Sequence, residues 1–183
     1  MKKFILFSLA SFFCLASYAG KKIPATYHSD NVFADSLQMD RPTLENIVSQ
    51  ITDVMGLQDN FEVKSADVLN IEASISHHKR MILFNPLFMD WVNKAAGNKW
   101  AAYALVAHEM GHHVNGHTLS RGGSQPELEL EADEFAGLVL HRLGATLQQA
   151  QEVMYLISSN QASKTHPARQ DRLIAIQNGW NRG

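Results

Sequence analysis

The sequence predicts an α+β chain, mainly helical, with a small β-hairpin or sheet packed beside one internal helix. Three observations lead there. Most of the 183 residues fall into segments with apolar residues at helical spacing, each bracketed by a starter and a stopper. One region only, "FEVKSADVLNIEASI" followed by "RMILF", has strand character. Finally, Ala101, Ala104, Ala107 and Gly111 make one side of a helix small enough to pack closely in a core.

The first nineteen residues stand apart. "MKK" is a basic start, "FILFSLASFFCLA" an apolar run, and "SYA" ends in the small residues a signal peptidase reads. The run is short for a bilayer span, which needs about 20 apolar residues. We read residues 1–19 as a secretory signal peptide and expect a soluble, exported protein, periplasmic or secreted. Cleavage removes Cys14, the only cysteine, so any transition metal must be held by His, Asp or Glu. It also removes Lys2 and Lys3, leaving 14 basic against 18 acidic side chains, a net charge of −4. No basic footprint marks a nucleic-acid partner.

The elements follow in order. Residues 20–39 mix charge, Pro24 and small polar groups and read as a poorly ordered lead-in to a domain spanning 40–183. Asp40 caps a helix with Pro42 in its first turn; Leu44, Ile47, Val48, Ile51, Val54 and Met55 form its apolar face, and Gly56 stops it. Strands are expected near 61–65, 69–76 and 80–84, the last two paired as a hairpin with His77 and His78 at the turn. Asn85-Pro86 opens "PLFMDWVNKAA", closed by Gly97. Asn98 caps "KWAAYALVAHEMGHHVNG". Pro126 opens "PELELEADEFAGLVLHRL", ended by Gly144. Thr146 and Gln149 resemble a capping box for "LQQAQEVMYLISS", "SKTHP" is a loop, and Pro167 begins the last helix.

Chemistry concentrates in the third helix. His108-Glu109-Met110-Gly111-His112 is an H-E-x-x-H pattern. At about 100° per residue, the two histidines lie about 40° apart, one turn above the other, so both imidazoles can meet one zinc ion. Glu109 borders that point without ligating it, where a general base for hydrolysis belongs. His113 and His117 point roughly 140° and 180° away on a regular helix, outside the ligand set. We place His113 beside the site or on the surface, and His117 on the carbonyls at the helix end.

A catalytic zinc needs a third protein ligand. The extended pattern HExxHxxGxxH fails, because Asn115 and Thr118 stand where Gly and His are required. "ELELEADEF" offers Glu129 with Asp133 one turn on, sharing a face, while Glu131 falls on the solvent side. Glu129 is the ligand this reading selects. Asp133 can accept the spare imidazole N–H of a ligating histidine, fixing its tautomer.

HEMGHH followed by E-x-E-A-D resembles the HtpX-like and BepA-like gluzincin metallopeptidases, over roughly residues 45–178. The resemblance implies a zincin-like core and one Zn2+, with the glutamate of E-x-x-x-D as third ligand, here Glu129. It extends to "THPARQDR", where His166, Pro167 and Arg172 match the family's His-Pro and following arginine. It implies that His166 approaches the zinc, either stabilising an oxyanion or closing the site. It also implies an edge hairpin to which a polypeptide substrate adds as a strand, here along residues 80–84. The expected activity is zinc-dependent endopeptidase, with Glu109 and His166 catalytic and His108, His112 and Glu129 on the metal. Asp133 and Arg172 stand behind these ligands. The alternative is a zinc-binding, chaperone-like factor for exported or outer-membrane proteins.

Overall fold

The computed structural model describes residues 39–119 and 125–183. The signal peptide read at 1–19 and nearly all of the 20–39 lead-in lie outside them. Met39 is the exception: its side chain is buried and its N–H donates to Asp90 Oδ1 at 2.8 Å.

The coarse class is as expected, α+β and mainly helical. Helix α1 (Arg41–Met55) leads into strands β1 (Phe61–Ser65), β2 (Ile71–Ser76) and β3 (Lys79–Phe84). Helices α2 (Pro86–Ala96) and α3 (Trp100–Val114) follow. A 3-10 turn (His117–Leu119) precedes α4 (Pro126–Arg142), α5 (Leu147–Ile157) and α6 (Arg169–Trp180). Asp40 accepts the Thr43 N–H, and Asn85 those of Leu87 and Phe88, satisfying donors that the first helical turn leaves free. Thr146 and Gln149 form a reciprocal capping box. Asn98 accepts the Trp100 N–H at 2.9 Å. The last helix starts at Arg169 rather than Pro167. Its start is held by the Arg169 N–H, which donates to the Ser159 carbonyl at 2.7 Å, while Ala168 stays extended.

Sheet order is β1-β3-β2. β2 and β3 pair antiparallel, Ile71 opposite Phe84 through Ser76 opposite Lys79. His77 and His78, with φ of 50° and 63°, form the two-residue turn; positive φ at both positions is what a tight hairpin of this hand requires. β1 joins the other side of β3 in parallel, Phe61 opposite Arg80 through Ser65 opposite Phe84. This corrects the expected place of residues 80–84. They form the middle strand, both of whose hydrogen-bonding edges are taken, so an added peptide strand can join only β1 or β2.

Helix α3 is the axis of the fold. Every residue from Ala101 to His113 is buried, as expected of a helix covered on all sides. Leu44, Ile47 and Ile51 of α1 and Ile71, Ile82 and Phe84 of the sheet join Leu105 and Met110 of α3 and Val139, Leu140 and Val153 beyond it in one core. Each such side chain contributes roughly 1.5–3 kcal/mol when fully buried. Glycines set the closest helix contacts. At Gly111 a Cβ would lie 3.1 Å from the Ala132 Cα, so α4 sits tight against α3. A Cβ on Gly137 would overlap the Ile176 carbonyl, and one on Gly179 the Glu134 carbonyl. Helices α4 and α6 therefore touch backbone to backbone. Asp133 meets Arg172 and His141 meets the Trp180 carbonyl, both pairs 39 residues apart, so α4 and α6 run side by side in the same direction. Among the described residues, no helix is long and apolar enough to cross a membrane.

Candidate metal centre

Helices α3 and α4 bring His108, His112 and Glu129 to one point. His108 Nε2 lies 3.2 Å from His112 Nε2 and 3.4 Å from Glu129 Oε2; His112 Nε2 lies 3.5 Å from Glu129 Oε1. All three side chains are fully buried. Tetrahedral zinc holds its ligand atoms at about 2.0–2.2 Å, which separates neighbouring ligand atoms by roughly 3.3–3.5 Å. Taking one ligand atom from each side chain, all three lie within 4.8 Å of one another, close enough to share one ion.

The hydrogen bonds behind these atoms show why they gather there. His108 Nδ1 lies 2.9 Å from Asp133 Oδ1, and a carboxylate can only accept, so the ring carries its proton on Nδ1. Arg172 donates to both oxygens of Asp133, from Nε at 2.7 Å and from the second guanidinium nitrogen at 2.8 Å. The sequence places Asp133 and Arg172 behind the ligands, and both stand there, 0% and 1% exposed. His112 Nδ1 contacts His117 Nδ1 at 2.9 Å. With both Nδ1 positions engaged outward, the two Nε2 atoms face each other and a carboxylate. Such a set needs positive charge at its centre, from a proton on His108 or from a metal ion. The donor set, two imidazoles and one carboxylate without a thiolate, could hold a metal ion.

Burial would press the His108 pKa down, but the Asp133 hydrogen bond and charge, with Glu129, lift it to about 10. Burial pushes the Glu129 carboxyl up; His108, Arg172 and His112 outweigh it and hold the group ionised well below the usual carboxylate range. Asp133 is likewise held low against its burial, chiefly by Arg172 and then His108. Burial, reinforced by the His108 charge, takes His112 down to about 3.

Glu109 is also fully buried. Its Oε2 accepts the Ala73 N–H at 2.7 Å, from the side of β2 that faces away from β3. Oε1 finds no hydrogen-bond partner among the described residues. Burial pushes this carboxyl up to about 8, and neighbouring His108 only partly offsets it. His166 comes in from the loop before α6. It is 5% exposed, its Nδ1 lies 2.8 Å from Thr165 Oγ1, and its Nε2 lies 4.0 Å from Glu129 Oε2. Burial lowers its pKa.

Two histidines take places that helical geometry does not foresee. His113, expected beside the site or on the surface, is buried against the sheet: its Nε2 lies 2.9 Å from the Met81 carbonyl and its ring meets the edge of Phe61, clamping α3 to the sheet. His117 does not cap helix carbonyls. The helix ends at Val114, Gly116 turns the chain at a φ of 78°, and His117 folds back beneath His112. Its Nε2 then meets Glu131 Oε2 at 2.9 Å. The signal for this return was available in Asn115-Gly116, a helix-stopping pair just before the histidine.

With the geometry in hand, comparison with known proteins adds no assignment: no family model matches the chain, and neither curated proteins nor solved structures give a match.

Proposed function

We propose that this protein is a metal-dependent peptidase of the gluzincin kind, resembling the HtpX-like and BepA-like enzymes. The reading rests above all on the convergence of His108, His112 and Glu129 from two helices, with an H-E-x-x-H glutamate beside them. These three residues would hold the ion. A bound divalent cation of this type polarises a carbonyl and makes water more acidic.

The chain's own residues supply the rest. Glu109 would take a proton from the attacking water as its oxygen adds to the peptide carbonyl carbon. The same carboxyl then gives that proton to the amine as the C–N bond breaks. Burial raises its basicity, which favours taking a proton from water. His166 would donate a hydrogen bond to the developing oxyanion. Asp133 and Arg172 hold His108 in the tautomer that turns Nε2 inward. The substrate would be a polypeptide, joining one of the two outer strands, β1 or β2. The leading segment read as a secretory signal would place the work outside the cytoplasm.

Metal analysis and a cleavage assay on an unfolded polypeptide such as casein test this. The wild-type protein is expected to carry about one zinc per chain and to cleave. Glu109→Gln should keep the metal and lose roughly 10²–10⁴-fold in kcat. Glu129→Ala should lose the metal. Full activity in Glu109→Gln would end the peptidase reading.

One observation favours a second reading, a metal-holding binding factor. The ligand side chains are fully buried and His166 lies against them. A protein that acts by binding would retain wild-type function in cells as Glu109→Gln.

A further inference from the structure

We infer that His117 and Glu131 are positioning residues for the metal ligand His112, forming a relay that fixes which ring nitrogen faces the ion. The inference builds on the proposed metal centre and extends it to two residues outside the ligand set.

The geometry is a chain of contacts: His112 Nδ1 to His117 Nδ1 at 2.9 Å, then His117 Nε2 to Glu131 Oε2 at 2.9 Å. The last group decides the direction. An ionised carboxylate only accepts, so His117 carries a proton on Nε2, and the neutral ring then presents an unprotonated Nδ1 to His112. His112 must then donate from its own Nδ1, and its Nε2 is left as a lone pair facing His108 and Glu129. Reversing the relay would place two ring N–H groups nose to nose, or leave the carboxylate facing a lone pair. One surface charge therefore sets the tautomer of a buried ligand.

Two further features support this assignment. His117 is 4% exposed, so no bulk solvent competes for its Nδ1. The two ligating histidines also become equivalent in design. His108 is backed directly by Asp133, and His112 is backed by Glu131 through one intervening ring. The second carboxylate stands at the surface, its side chain 58% exposed. It can therefore be changed without opening the core.

The test uses the full mature chain with zinc as the probe and a chromophoric chelator as competitor. Loss of a partner behind a ligating histidine typically weakens metal binding about 10–100-fold. His117→Phe is expected to fall in that range and Glu131→Ala at its lower end. His117→Gln, whose amide oxygen can accept the Nδ1 hydrogen, should recover most of the loss. Imidazole ¹⁵N spectra of the metal-free protein add a readout that general destabilisation does not move. The wild type should show His112 protonated at Nδ1 and His117 at Nε2, and Glu131→Ala should show mixed tautomers. Wild-type affinity and wild-type tautomers in Glu131→Ala would overturn the relay while leaving the metal centre intact. A wild-type protein that binds no zinc would overturn both.

Discussion

At the scale of single residues, the buried charges are the most exposed to test. Arg172 is 1% exposed and holds both oxygens of Asp133, which in turn holds His108. Removing one partner of a buried ion pair leaves the other uncompensated and typically costs about 3–5 kcal/mol. Arg172→Met should therefore lower unfolding free energy by about that much in urea titrations, and weaken zinc binding with it. His113 offers the contrast. His113→Ala removes the Met81 contact and should cost roughly 1–3 kcal/mol of stability while zinc stoichiometry stays at wild type. The two variants separate a site-supporting residue from a merely structural neighbour, although His113 adjoins a ligand in sequence. The same distinction explains what could be read in advance. His108, His112, Glu129 and Asp133 were legible because their spacing within regular helices fixes their direction. His117 was not, because its place depends on the helix ending at Val114 and on the turn at Gly116.

At the scale of elements, the site depends on how closely helices approach. Gly111 admits α4 against α3, and the Gly137 and Gly179 contacts admit α6 against α4. A methyl group at Gly137 meets carbonyl backbone rather than a flexible side chain, so the helices must separate. Gly137→Ala should cost at least about 1–3 kcal/mol, read as a lower Tm. It should also weaken zinc binding by drawing Arg172 away from Asp133. A similar limit governed the sheet. Alternating residues and turn chemistry gave the strands and the β2–β3 hairpin, since these are local. The parallel partnership of β1 with β3 is a contact across the intervening β2, and nothing in the strand sequences announces it. That is why residues 80–84, rather than β2, looked like the free edge.

At the scale of the whole molecule, the proposed ion would tie together helices that otherwise carry a cluster of buried polar groups. A ligand that binds only the folded state stabilises it by about 2.7 kcal/mol at a hundredfold excess over Kd. Chelation should therefore lower Tm measurably, and added zinc should restore it in the wild type but not in Glu129→Ala. Scanning calorimetry with and without a chelator checks this. The overall plan was legible from helix boundaries, since nearly every cap residue stands where the sequence put it. Two starts are shifted: α3 opens at Trp100 with Lys99 rather than Asn98 in the cap position, and α6 opens at Arg169 in place of Pro167, the latter set by a contact with Ser159 on another segment.

The same-direction pairing of α4 and α6 also bears on biogenesis. His108 takes its orientation from Asp133, and Asp133 its countercharge from a guanidinium on the final helix. A nascent polypeptide that has emerged only as far as α5 holds all three donors but not the arginine that neutralises the carboxylate behind one of them. The proposed centre would therefore be complete only once synthesis has passed α6, and removal of residues 158–183 would be expected to weaken zinc binding relative to the full mature chain.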